Sequence, residues 1–228
     1  MEKISKIEVP SSKPFFDEAS INGILNDIRE TLKSGILTEG PNVKKFEEMF
    51  AEYVGTKEAV AVNSGTSSIE IPLRYFNIKG GEVIVPTNTF IASANAVLFA
   101  GGKPVLADIL RETLCIDPDD AQNRITPKTR GIIVVHIAGL ICPEIKQLKE
   151  ICQDHKLFLI EDSAHAHGST INGKKAGSLG DVGSFSFYPT KVMTTCEGGM
   201  ITTDDLKLAE IAKSMRHHGV NRKTGEIV

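Results

Sequence analysis

Apolar residues change their spacing along this chain at about residue 59. Before that point they recur every three or four positions, first at Ile21, Ile24, Leu25, Ile28 and Leu32, then at Val43, Phe46, Met49 and Phe50. Positions three and four apart lie on one face of a helix, so this spacing predicts two amphipathic helices. Ser20 is the expected N-cap of the first, and Ser34-Gly35 its end. A loop over 36–41 follows, and the second helix starts at about Asn42. Residues 1–19 read as an N-terminal arm and 20–228 as one large domain. From residue 59 the apolar positions fall into seven short runs, at 59–62, 83–85, 104–108, 131–136, 157–161, 182–187 and 200–203. Helical spacing fills the intervals 67–76, 91–100 and 144–155, and returns at 206–215. Strands alternating with helices predict a three-layer α/β/α domain around a mostly parallel seven-stranded sheet, whose ligands bind beyond the carboxyl ends of the strands.

Composition narrows the function classes. The first fourteen residues, MEKISKIEVPSSKP, are polar and charged, and no stretch approaches the about 20 apolar residues of a spanning helix. The expectation is a cytoplasmic protein with no membrane partner. A net charge of -3, with no basic run longer than Lys44-Lys45, gives no reason to expect nucleic acid or anionic lipid. Four cysteines without a CxxC pair argue against a zinc site or a disulfide framework and for reduced, mostly buried thiols.

The strand ends carry the chemistry. Lys191 lies in the loop between the last two apolar runs, within SFSFYPTKVMTTCEGGMITT. An amine on a flexible stem, desolvated among apolar groups, is the side-chain type that forms Schiff bases with carbonyl compounds, and pyridoxal phosphate (PLP) is the commonest such partner. PLP also requires a carboxylate for its ring nitrogen, an anion site for its phosphate and a flat wall for its ring. Each has a candidate. The run 157–161 leads into Asp162, with His165 one turn on. Gly65, Thr66 and Ser67 open a helix after the first run, where free amides attract an anion. Ser186, on the strand entering the lysine loop, is a further donor to the same phosphate. Phe90 follows the second run as a candidate wall.

Each residue has a plainer reading. Ser-Gly-Thr is ordinary N-capping, one phenylalanine is usually core, and most lysines are solvated. The glycine spacing and following lysine of a nucleotide-binding loop are absent. Asp162, His165 and His167 could instead bind a metal, although no further Cys, His or Glu cluster completes a coordination shell, so no metal is expected.

Taken together, SGILTEGPNVKKFEE, NSGTSSIE, PTNTFIASANAV, EDSAHAHG and the lysine motif resemble the DegT/DnrJ/EryC1/StrS family of PLP-dependent sugar aminotransferases. The resemblance implies a fold-type I large domain, a smaller C-terminal domain, and a homodimer with active sites at the subunit interface. It implies that Lys191 holds PLP covalently, that Asp162 pairs with the pyridine nitrogen and His165 stands beside the cofactor, that Gly65, Thr66, Ser67 and Ser186 bind phosphate, and that Phe90 stacks on the ring. The implied reaction moves an amino group from glutamate to a nucleotide-linked keto-sugar, in polysaccharide or secondary-metabolite biosynthesis. Lys191 argues against the sugar 3-dehydratases of the family, which carry histidine there. Family members run well beyond this length, and the resemblance implies that the small domain is missing here. A truncated, non-catalytic PLP-binding or regulatory homologue is the alternative.

Overall fold

All seven apolar runs pair into one sheet. In the computed structural model, which describes residues 13–220, 225 and 227, the strands are β1 (Glu58–Val62), β2 (Glu82–Pro86), β3 (Lys103–Ala107), β4 (Thr129–Val135), β5 (Phe158–Asp162), β8 (Val182–Ser186) and β9 (Gly199–Thr203), in the spatial order β1-β9-β8-β5-β4-β2-β3. Only β9 runs against its neighbours, antiparallel to β1 on one side and to β8 on the other. The parallel strands up to β5 are joined through helices, while β5 reaches β8 through residues 163–181. β8 and β9 are sequential neighbours in one sheet, so the loop between them returns along the same edge. A two-residue hairpin of β6 (Thr170–Ile171) and β7 (Lys174–Lys175) stands apart from this sheet. It turns through Asn172-Gly173, both at positive φ, as the hairpin turn demands.

Side-chain alternation assigns the helices to faces. Val83, Val85, Ile133, Val135 and Ile160 point to one face, under α3 (Gly65–Tyr75), α4 (Ala92–Phe99) and α7 (Leu206–Met215). Ile84, Ile132, Val134 and Leu159 point to the other, under α6 (Ile145–His155) and α5 (Pro118–Asn123), while α2 (Pro41–Val54) seats Phe50 against Phe185 and Phe187 at the β1 end. Burying each such Val, Ile or Phe stabilises the fold by about 1.5–3 kcal/mol. On the edge strand β1, both backbone groups of Ala61 are occupied. Glu47 accepts from Ala61 N at 2.8 Å, Arg216 donates to Ala61 O at 2.9 Å, and Glu47 and Arg216 bind each other. Such cover stops an edge from recruiting another strand.

The chain divides into two compact units between Gly40 and Pro41. The first contains α1 (Glu18–Ser34), which corrects one expectation. Its N-cap is Asp17, whose carboxylate accepts from Ser20 N at 2.7 Å, while Ser20 lies inside the helix. Gly35 ends the helix with φ 70°, as its position suggested. No helix among the described residues is long and apolar enough to cross a membrane.

Candidate active site

Residues 187–198 connect β8 to β9 beyond the carboxyl end of β8 and carry Lys191. The connection is tied at its base. Phe187 N donates to Gly198 O at 2.9 Å, Thr195 N to Phe187 O at 3.1 Å, and Thr194 Oγ1 to the same carbonyl at 2.8 Å. Lys191 N closes a turn onto Tyr188 O at 2.9 Å. The side chain is half-buried and, among the described residues, its amine has no ion-pair or hydrogen-bond partner. Burial holds its pKa below the ordinary lysine value, opposed by the charge of Asp162. Both facts favour a free, nucleophilic amine over a solvated cation.

Asp162 closes β5 and is 6% exposed. Its two oxygens are held separately, Oδ1 by Ala164 N at 3.2 Å and Oδ2 by the hydroxyl of Ser93 at 2.7 Å. Alternation along β5 turns the preceding Glu161 to the opposite face. There Glu161 accepts from Gly177 N at 2.9 Å, from Leu179 N and Gly180 N at 2.6 Å each, and pairs with His136 Nε2 at 2.8 Å. Cys142 N donates to His136 Nδ1 at 3.2 Å, which leaves the ring proton on Nε2 to be given to Glu161. The sequence suggested that an acidic pair at a strand end has little structural excuse. Glu161 has one, because it pins the 177–180 loop, and only Asp162 faces the site.

The turn after β1 carries the candidate anion site. Ser64 is the N-cap of α3 and takes up Ser67 N at 3.1 Å, with Ser67 Oγ 3.1 Å from Ser64 Oγ. The amides of Gly65 and Thr66 are left without partners among the described residues, and both residues line the cleft. Ser67 is turned into the cap and is not part of the cleft wall. Two glycines let the turn and the sheet approach. A Cβ on Gly65 would lie 2.7 Å from Ser186 Cβ, and one on Gly199 would fall on the Ser64 carbonyl. Below them Ser68 bonds to Ser184, and its hydroxyl reaches Gly65 O at 2.8 Å, clamping α3 to β8.

A cleft of about 590 Å³ joins these parts, lined among others by Gly65, Thr66, Phe90, Asp162, His165, Ser186 and Lys191. Phe90 is 72% exposed, so it is a ring on the cleft wall and not a core residue. Burial and the charge of Lys191 hold His165 below the ordinary histidine pKa, with Asp162 pulling the other way. His167 leaves the group. Its ring lies between those of Phe185 and Phe187, at 5.4 and 5.7 Å, neither nitrogen reaches a partner, and burial pushes its pKa down to about 4. Asp162, His165 and His167 do not form a cluster that could hold a metal ion, nor does any other trio among the described residues. Sequence reasoning missed Ser93, Thr89, Tyr188 and Glu197. For Ser93 a signal existed, since Thr89 and Ser93 are hydroxyls spaced one turn apart where the helix after β2 begins.

The cleft therefore offers an unpaired amine, a buried carboxylate, two free amides at a helix start and an exposed aromatic ring. Those are the partners of a flat pyridine ring that carries a carbonyl and a phosphate. The sequence profile of the DegT/DnrJ/EryC1/StrS aminotransferase family matches residues 19–228. A curated GDP-perosamine synthase of Caulobacter vibrioides is 44% identical over 187 residues, covering 82% of this chain and 50% of that protein. Among solved structures, PseC of Helicobacter pylori, an aminotransferase involved in the biosynthesis of pseudoaminic acid, superposes with TM-score 0.87 at 32% identity, covering 97% of this chain and 60% of that one. The PLP form of Spr1654 from Streptococcus pneumoniae does so with TM-score 0.89 at 33% identity, covering 97% and 61%. The chain spans about half the length of the curated relatives it matches.

Proposed function

The chain belongs to the DegT/DnrJ/EryC1/StrS aminotransferase family, and on that premise we propose that it forms the PLP-binding part of an aminotransferase that moves an amino group from glutamate to a nucleotide-linked keto-sugar. The observation that carries this reading is the convergence of Lys191, Asp162 and the Gly65–Thr66 amides on one cleft. When bound, PLP supplies a carbonyl that reacts with amines and a ring that draws in electrons from the reacting carbon.

The protein's own groups do the rest. Lys191 is the covalent anchor and, once released, the base and acid that moves the proton at the reacting carbon. Its lowered pKa keeps more of the amine unprotonated at neutral pH. Asp162 would accept a hydrogen bond from the protonated ring nitrogen. Gly65 and Thr66 would donate amides to the phosphate and Ser186 its hydroxyl, with the dipole of α3 adding to the attraction. Phe90 would pack on the ring, and His165 would line the same pocket. The reading extends to a cytoplasmic homodimer, supported by the GDP-perosamine synthase and PseC likenesses for the substrate class and by the family for the assembly.

The test is borohydride reduction of the protein loaded with PLP, followed by peptide mapping. The cofactor is expected on Lys191, with glutamate-dependent release of 2-oxoglutarate in the presence of a nucleotide-linked keto-sugar. Fixation on a different lysine overturns the assignment of the anchor.

A further inference from the structure

Asp162 carries a hydroxyl relay that the reaction as described does not use. The side chain of Ser93 is fully buried on the first turn of α4, with Oγ 2.7 Å from Asp162 Oδ2 and 2.7 Å from Thr89 Oγ1. An ionised carboxylate can only accept, so the Ser93 proton is committed to Asp162, and the Ser93 oxygen in turn accepts from Thr89. The direction of both bonds follows from this one constraint. Thr89 lines the cleft, whereas Ser93 is sealed behind it.

Resting on the function proposed above, we propose that Ser93, backed by Thr89, is a positioning residue that fixes the orientation of the Asp162 carboxylate, so that the bond which holds the proton on a pyridine nitrogen stays aligned. A charge-assisted donor at one carboxylate oxygen is short and directional, and it fixes that oxygen in place. Ala164 N supplies the equivalent donor to Oδ1, at a longer 3.2 Å. With one donor on each oxygen the carboxylate is held against rotation where Asp162 lines the cleft. Cooperative strengthening along Thr89, Ser93 and Asp162 works in the same direction. Loss of the Ser93 hydroxyl would free Oδ2 to turn away and weaken the bond that keeps the proton on the ring nitrogen.

The experiment uses the purified protein loaded with PLP labelled with 15N at the ring nitrogen. The 15N chemical shift reports where the proton sits, and PLP titration gives the affinity. In Ser93→Ala the signal is expected to move toward that of unprotonated pyridine, and the dissociation constant of PLP to rise roughly tenfold. Ser93→Thr, which keeps the hydroxyl, is expected to restore both. A Ser93→Ala signal that coincides with the parent's, on protein still labelled by borohydride at Lys191, overturns the positioning role and leaves the proposed function standing. Failure of the parent to bind PLP overturns both. Should Ser93→Ala not fold, Thr89→Val decides. It is expected to give a smaller displacement in the same direction, and no displacement sinks the proposal.

Discussion

Replacing Gly65 by alanine tests the anion site through one atom. A Cβ there would meet Ser186 at 2.7 Å from Cβ, 3.2 Å from Oγ and 3.3 Å from Cα. Ordinary carbon contacts lie at about 3.5–4.0 Å, so α3 and β8 must part by roughly 1 Å. Neither side yields easily. Ser186 is paired with Gly199 in the β8–β9 ladder, and α3 is clamped to β8 through Ser68 and Ser184. Overpacking of this kind costs about 1–3 kcal/mol. At about 2–4 °C per kcal/mol for a chain of this size, the melting temperature without cofactor should fall by about 2–12 °C. The same parting moves the Gly65 and Thr66 amides from the phosphate position. Loss of one hydrogen bond to a charged group weakens PLP binding by roughly ten- to a hundredfold. Scanning calorimetry and PLP titration measure the two effects separately. Gly23→Ala on the exposed side of α1, where a Cβ meets nothing within 4 Å, is the control and should stabilise by about 0.5–1 kcal/mol. Gly65→Ala combined with Ser186→Gly removes the clash and should recover most of the lost stability but not the affinity, since the Ser186 hydroxyl is gone. Parental melting and parental affinity in Gly65→Ala would refute the reasoning.

Asp162→Asn keeps an oxygen for the Ser93 hydroxyl but loses the charge, so turnover should fall by orders of magnitude while much of the PLP affinity survives; steady-state kinetics beside a binding titration separate the two. Glu161→Gln puts an amide among three backbone N–H donors in a fully buried site and should destabilise by about 3–5 kcal/mol, with faster hydrogen exchange over 177–180 as the specific mark. His167 is depressed to about 4, so the folded protein resists its protonation. The unfolded chain binds that proton from about pH 6.5 downward. Stability should therefore be lost as pH falls from about 6.5 toward 4. His167→Gln should flatten the melting temperature over that interval, and an unchanged acid limb would show that another group is responsible.

The sheet was legible because buried parallel strands are written as apolar runs, and all seven strands fall where the runs lie. Lys191, Asp162, Gly65, Thr66, Phe90, His165 and Ser186 were legible for a second reason: ligands gather at strand ends, so chain position alone brings them together. Three features escaped for physical reasons. Ser93 became part of the site through a contact across 69 positions, and its spacing from Thr89 marks a helix start without telling which carboxylate it meets. Glu161 and Asp162 look alike in sequence, and their opposite roles follow only from which face each takes. Asp17 and Ser20 are both good caps, and only backbone conformation decides between them. Two other misses were readable. Asn172-Gly173 signals the β6–β7 hairpin, and Asp117-Pro118-Asp119-Asp120 spells the start of α5, with Asp117 as its cap.

The reversed strand has a consequence for how the chain is assembled. Among the described strands β1 comes first, yet it pairs with β9, the last of them, through contacts such as Glu58 with Thr203. β2, β4 and β5 find their neighbours within short crossovers, but β1 must wait for all the strands in between. Contacts this distant in sequence slow folding, because loop closure is costly before any pairing rewards it. The anion site needs β1, β8 and β9 side by side, since Gly65 meets Ser186 and Gly199 meets Ser64. Synthesis therefore delivers the amine of Lys191 just ahead of the strand that completes the cleft. Until β9 is in place the Gly65 turn lacks its neighbours Ser186 and Gly199, and a growing chain displays no organised cleft.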